Sequence, residues 1–170
     1  EHMNILVGEN EAGKSTILDA LKTVLNQQYR TADKSVLRDL FNAQMVAEFR
    51  ANPSVNTLPK IYIEVELVLD PQEKNASYFY GEVYGRRQQQ TEKYGIRFEC
   101  KYDEELGVGM EQSILEGKIP YEYYALTWTT FANRPYQIIK RPLNFLSIDT
   151  TNGAAASSFN YYNRTLFTSR

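Results

Sequence analysis

Near the start of the chain, Gly8-Glu9-Asn10-Glu11-Ala12-Gly13-Lys14-Ser15 sets two glycines and a Lys-Ser pair at the spacing G-x-x-x-x-G-K-[ST]. The flanks matter as much as the pattern. Residues 4–7 (Asn-Ile-Leu-Val) read as a short buried strand, and residues 15–26 read as a helix with Ile17, Leu18, Leu21, Val24 and Leu25 on one face. Strand, glycine-rich turn and helix together form the context of a phosphate-cradling loop, the P-loop.

Each position in that loop has a physical role. Gly8 and Gly13 allow tight bends and a close approach of the backbone without a Cβ. The amides of Glu9, Asn10, Glu11 and Ala12 can then turn inward as an anion-binding nest, and the following helix brings its positive end to the same point. Lys14 is expected to reach the β- and γ-phosphates of a nucleotide and to neutralise charge developing there, which makes it the catalytic candidate. The Ser15 hydroxyl is the expected Mg2+ ligand, and Thr16 is placed at the α-phosphate. ATP and Mg2+ are therefore the expected cofactors. The plainer alternative is an ordinary strand-turn-helix carrying a solvated lysine.

Composition narrows the remaining classes. The 170 residues suit one domain or a large part of one, and 42% hydrophobic content provides for a core. A net charge of -2 supplies no global basic field for nucleic acid, although it leaves room for a local patch. His2 is the sole histidine, so histidine-based catalysis and multi-histidine metal sites are excluded. Cys100 lies in a strand-like run and reads as a buried small hydrophobe rather than a reactive thiol. The sequence has no membrane-length apolar run and opens on no signal peptide, giving an expectation of a cytoplasmic protein with no membrane partner. The thirteen tyrosines and eight phenylalanines fall mostly in strand-like runs; sheet packing is the plain reading and a base-stacking surface the other.

Along the chain, a second helix is expected over 36–50 with Val36, Leu37, Leu40, Phe41, Met45 and Phe49 on its apolar face. Alternation predicts strands at 61–69, 78–84 and 94–102, the last with Ile96, Phe98 and Cys100 on one face and Arg97, Glu99 and Lys101 on the other. Joined by polar turns, these suggest an antiparallel meander. Arg86-Arg87 and the Gln88-Gln89-Gln90 tract read as a hairpin tip or loop. Residues 107–117 read as irregular or a short helix, 121–131 as a strand, 136–139 as its hairpin partner and 143–148 as a last strand ending at Asp149; 159–167 could open a helix. The organisation follows as a single P-loop ATPase domain with a helical P-loop part (1–58), a β-rich part (59–149) and an exit segment (150–170). The fold class is α/β (α+β), a P-loop NTPase resembling an ABC-ATPase head, with an antiparallel β-layer beside the P-loop core. The loop begins close to residue 1, so residues upstream are expected to be missing, and the chain stops abruptly at Arg170; it is expected to be an N-terminal fragment of a larger ATPase.

Leu146-Ser147-Ile148-Asp149 has the form of a second magnesium-holding element, and Asp149 is carried as a candidate Mg2+-linked residue. Thr150 follows where an ABC-type head has a glutamate, so a structural turn is the competing reading. Gln137 is the one candidate for a magnesium-sensing Q-loop residue.

Residues 4–21 (Asn-Ile-Leu-Val-Gly-Glu-Asn-Glu-Ala-Gly-Lys-Ser-Thr-Ile-Leu-Asp-Ala-Leu) resemble the P-loop of the SMC/RecF-like branch of ABC ATPases. Within that branch the chain looks most like the overcoming-lysogenization-defect (OLD) family of ATP-dependent endonucleases. Trp128-Thr129-Thr130-Phe131, Tyr136, residues 143–149 and Tyr161-Tyr162-Asn163-Arg164 are similar to the middle of that family's ATPase domain. The resemblance implies an ABC-type ATPase interrupted by a dimerisation arm and followed by a metal-dependent Toprim nuclease. It also implies a second ATPase head as homodimer partner, and action on DNA, often in phage defence. Only Gly8 to Thr16 carry over residue by residue; the signature, Walker B and nuclease residues have no counterpart. Two rival readings are a SMC/RecF-like DNA repair ATPase without a nuclease, and a non-hydrolysing nucleotide-binding interaction module.

Overall fold

The computed structural model describes residues 5, 7–9, 13–83 and 92–140. Helix α1 (Lys14–Asn26) starts at Gly13, whose left-handed backbone (φ 81°) turns the chain into the helix, and stops at Gln27, again left-handed (φ 51°). The single helix expected over 36–50 is instead two. A 3-10 turn (Lys34–Val36), entered through the Asp33 side chain accepting from the Ser35 amide, runs into α2 (Leu37–Leu40). Phe41 is then extended, and the Asn42 side chain accepts from the amides of Gln44 and Met45 to start α3 (Ala43–Ala51). The Asn42 cap satisfies two otherwise orphaned donors and so favours a fresh start over a continuous helix. Leu37, Phe41 and Phe49 are buried, as their spacing predicts.

Among the described residues four strands make one antiparallel sheet: β1 (Ile61–Leu67), β2 (Tyr80–Glu82), β3 (Glu92–Tyr102) and β4 (Tyr124–Thr130). The order differs from the expected meander. The long strand β3 is central, with β1 along one edge (Ile61 opposite Cys100, Leu67 opposite Tyr94). The other edge is shared by β2 (Tyr80 opposite Tyr94) and β4 (Ile96 opposite Thr130, Tyr102 opposite Tyr124). Gly95 sits at the junction, where its amide donates to Phe79 O and its carbonyl accepts from Phe131. The 78–84 expectation is corrected in part: Ala76–Tyr78 is a 3-10 turn entered from left-handed Asn75, and the strand begins only at Tyr80. A short α4 (Glu111–Leu115) lies in the 107–117 segment. After β4, the turn through Asn133 returns the chain for one bridge, Thr129 to Pro135, before a 3-10 turn at Ile138–Lys140. The expected elements at 143–149 and 159–167, the 150–157 linker and the Arg86–Gln90 tip lie outside the described residues.

Helix α1 lies on the sheet face that carries Ile96, Phe98, Cys100 and Trp128. Val24 and Leu25 join these side chains, Leu37, Phe41, Tyr124 and Tyr136 in one core, so residues from both sides of the 58/59 boundary share it. Phe98 and Trp128 meet at 4.9 Å, and Phe41 and Tyr124 at 5.2 Å, distances at which aromatic pairs attract. A smaller cluster of Phe49, Leu58 and Ile114 packs beneath α3 and α4. The buried aromatics are thus sheet and helix packing, as the plain reading had it.

Candidate nucleotide site

The site is built around the beginning of α1. Gly13 adopts a conformation that L-residues avoid, and a Cβ added there would meet nothing within 4 Å, so the turn is open on that side. No side chain caps the helix, and its first turn holds no acidic residue. Among the described residues its leading amides therefore meet no capping oxygen or first-turn carboxylate. Asp19, one turn further, is paired with Lys22 at 3.3 Å.

Lys14 closes the loop on itself. Its ammonium donates to Gly8 O (2.6 Å) and Glu9 O (2.5 Å), linking the end of the glycine-rich segment to its beginning. An ammonium has three donors, so two clamp the loop and a third remains. Ser15 and Thr16, in the first turn of α1, are exposed. Asn10, Glu11 and Ala12, the middle of the expected nest, lie outside the described residues, as does Asp149. The strand expected at 4–7 is not supported where it is described. Ile5 and Val7 belong to no strand and are 75% and 89% exposed, and Ile17 and Leu18 on α1 are 51% and 50% exposed. The apolar face of α1 is real but buried only in its second half, where the sheet reaches it.

The far end of α1 is fixed by groups whose part the sequence did not reveal. Trp128 Nε1 donates to Thr23 O (2.8 Å), Tyr136 Oη to Leu25 O (3.1 Å), and Gln27 Nε2 to Tyr136 O (3.1 Å). A lone tryptophan followed eight residues later by a tyrosine was the only signal, and nothing local ties either to a helix a hundred positions earlier. These bonds also place Gln137 next to the C-terminal end of α1. Thirteen residues of helix span about 20 Å, so Gln137 stands well away from Lys14 and Ser15.

Cys100 is buried, and desolvation pushes its thiol up to about 12, as expected of an inert packing residue. Among the described residues no cluster of three or more His, Cys, Asp or Glu side chains could hold a metal, and no helix is long and apolar enough to cross a membrane.

The model of the AAA domain family (AAA_23) matches residues 1–161, nearly the whole chain. The chain belongs to the AAA domain family. Membership makes this a P-loop, ATP-binding domain of the SMC/RecF-like ATPase type, and the mixed helix–strand fold with its antiparallel sheet agrees. No curated protein and no solved structure matches the chain.

Proposed function

We propose that this domain binds Mg2+-ATP at Gly8–Thr16 and works as the ATPase portion of an OLD-like, ATP-dependent DNA endonuclease. One observation carries the nucleotide assignment: Lys14 clamps the carbonyls of Gly8 and Glu9 while the uncapped first turn of α1 opens from left-handed Gly13. The donor set suits a polyphosphate. Backbone amides, one ammonium and the positive end of a helix are all present, and no first-turn carboxylate opposes them.

In this reading Gly8, Glu9 and Gly13, with Asn10, Glu11 and Ala12 between them, cradle the phosphates. Lys14 orients the terminal phosphate and stabilises the charge that grows on its oxygens during transfer to water. Ser15 supplies a hard oxygen for Mg2+ and Thr16 a hydroxyl for the α-phosphate. When bound, Mg2+ supplies further neutralisation of phosphate charge. Asp149 remains a proposed second Mg2+-linked residue. The OLD-like assignment draws on the resemblance of the loop and of the 128–149 stretch, and with it come the proposals of a second ATPase head, DNA and a cytoplasmic setting.

The test is ATP-dependent thermal stabilisation of the chain with Mg2+. Nucleotide at a hundredfold excess over Kd should add about 2.7 kcal/mol, and Lys14→Ala should abolish it. Equal stabilisation of both proteins would reject the site. Turnover stimulated by duplex DNA in the wild type, absent from Lys14→Ala, would support the finer reading.

A further inference from the structure

Arg134 and Lys140 are both held against one aromatic ring. The Arg134 guanidinium lies 5.8 Å and the Lys140 ammonium 5.0 Å from the centroid of Tyr78. The two charges are therefore at most about 11 Å apart, close enough for one extended phosphate group or two neighbouring ones to meet both. Tyr78 is buried and fixed, its hydroxyl donating to Pro135 O. The backbones on either side are equally fixed: Arg134 O accepts from the Thr130 amide (2.8 Å), and the Lys140 amide donates to Gln137 O (2.9 Å). A third cation flanks them. Arg30 Nη1 donates to Gln27 Oε1 (3.1 Å), and the same Gln27 amide donates to Tyr136 O, joining Arg30 to the 134–140 segment.

All three cations are exposed. Among the described residues the cations paired with carboxylates are Lys22, Arg97, Lys101 and Lys118; these three are not among them. Arg30 has a local use, because a cation beyond the C-terminal end of α1 offsets the helix dipole. Arg134 and Lys140 have the Tyr78 ring as their local contact, which holds them but leaves their charge unneutralised. A guanidinium fork near an ammonium matches phosphate oxygens.

We propose that Arg134 and Lys140, seated on Tyr78 and flanked by Arg30, form a second phosphate-binding site near the C-terminal end of α1, remote from the P-loop. The phosphate comes either from a polynucleotide backbone or from a free phosphate compound. The site does not depend on the nucleotide reading, so it is tested in the Lys14→Ala chain, where the P-loop is disabled. Two probes separate the sources: a labelled single strand of about twenty nucleotides by anisotropy at about 50 and about 200 mM salt, and inorganic pyrophosphate by calorimetry. For a backbone, Arg134→Gln with Lys140→Gln should weaken strand binding about tenfold and flatten the log–log salt slope by about 1.4, the share of two contacts on a single strand. For a free phosphate compound, pyrophosphate binding should be lost in the same variant while the strand does not bind. The swap Arg134→Lys with Lys140→Arg should retain binding in either case, and the Trp128 melting signal checks the fold of each protein. Failure of both probes to bind, or binding unchanged by the double Gln variant, overturns the site.

Discussion

Replacing Arg97 with methionine should be among the most damaging single changes in the sheet, although alternation along β3 puts that residue on the polar face. The Arg97 side chain is 6% exposed and that of Glu64 10%, and the two meet at 3.0 Å between adjacent strands. The guanidinium also donates to Asn133 Oδ1 (3.0 Å) and Glu82 O (2.9 Å) and lies 5.4 Å from the Phe131 ring. One cation thus ties β1, the end of β2, β3 and the turn after β4. Methionine keeps much of the packing and removes the charge. Breaking a buried pair from one side costs about 3–5 kcal/mol, because the partner is left charged in a dry site. Here Tyr62 still donates to Glu64 Oε1 (2.8 Å), which favours the lower end, about 3 kcal/mol. At roughly 2–4 °C per kcal/mol for a chain of this size, the melting point should fall by about 6–12 °C. Urea unfolding followed by fluorescence reads this directly, since Trp128 is the sole tryptophan and is buried against Phe98. Adding Glu64→Leu should restore most of the loss. A deficit under about 1 kcal/mol for Arg97→Met, or a double variant worse than the single by as much again, would show that the pair is not desolvated as argued.

Two glycines should respond differently to alanine. Gly13→Ala has open space for the new methyl and should lose only the left-handed backbone penalty, about 1–2 kcal/mol by urea titration. Gly95→Ala would press a Cβ onto the Phe131 ring and to 2.6 Å from Val65 O at the three-strand junction, so it should cost well over about 3 kcal/mol or prevent folding. Cys100 should resist thiol reagents in the native protein at pH 8 and react on unfolding. Its raised pKa also has a signed consequence. The unfolded chain ionises first, so this contribution to stability is whole below about pH 9 and is lost as pH climbs toward 12, at about 1.4 kcal/mol per unit. Cys100→Ala should flatten that alkaline slope by one proton. Hydrogen exchange should find the amides of Val24 and Leu25 protected far more strongly than those of Ser15 and Thr16, and equal protection along α1 would contradict its half-buried seating.

What could be read from the chain was what depends on short-range pattern. Ile96, Phe98 and Cys100 alternate into the core as expected because period-2 spacing fixes a face whatever the partner. The same alternation misplaced Arg97, since a polar face is solvent only when nothing covers it, and Glu64, Asn133 and Phe131 cover this one. The pairing of β1 with β3 rather than β2 was equally hidden: turns of similar polarity join strands that pair and strands that do not. The break at Phe41–Asn42 was legible in principle, because Asn two and three residues before free amides is a capping signature, but the apolar spacing of Leu37, Phe41, Met45 and Phe49 runs across it undisturbed. The Gly8–Ser15 motif is a short-range signal that can be read from its own spacing, whereas the groups that hold its helix, Trp128, Tyr136 and Gln27, act across about a hundred residues and leave no local mark.

Those three groups bear directly on the proposed role of the helix in holding an anion. A helix leaves orphan carbonyls at one end and orphan amides at the other, and a folded protein must satisfy both or leave them to solvent and ligands. At the C-terminal end of α1 the work is done within the protein, with Trp128 donating to Thr23 O and Tyr136 to Leu25 O. At the N-terminal end no described side chain does the equivalent: Gly13 offers no capping oxygen, and Lys14 is a donor whose bonds go to Gly8 and Glu9. A serine or aspartate at position 13 would cap the first turn and stabilise the helix by about 1 kcal/mol, but it would place an acceptor where the proposed nucleotide site needs donors. Glycine forgoes that cap and keeps the amides available. The helix is thus anchored at its C-terminal end, and at the other end no described side chain takes up the donors that the proposed phosphate site would use.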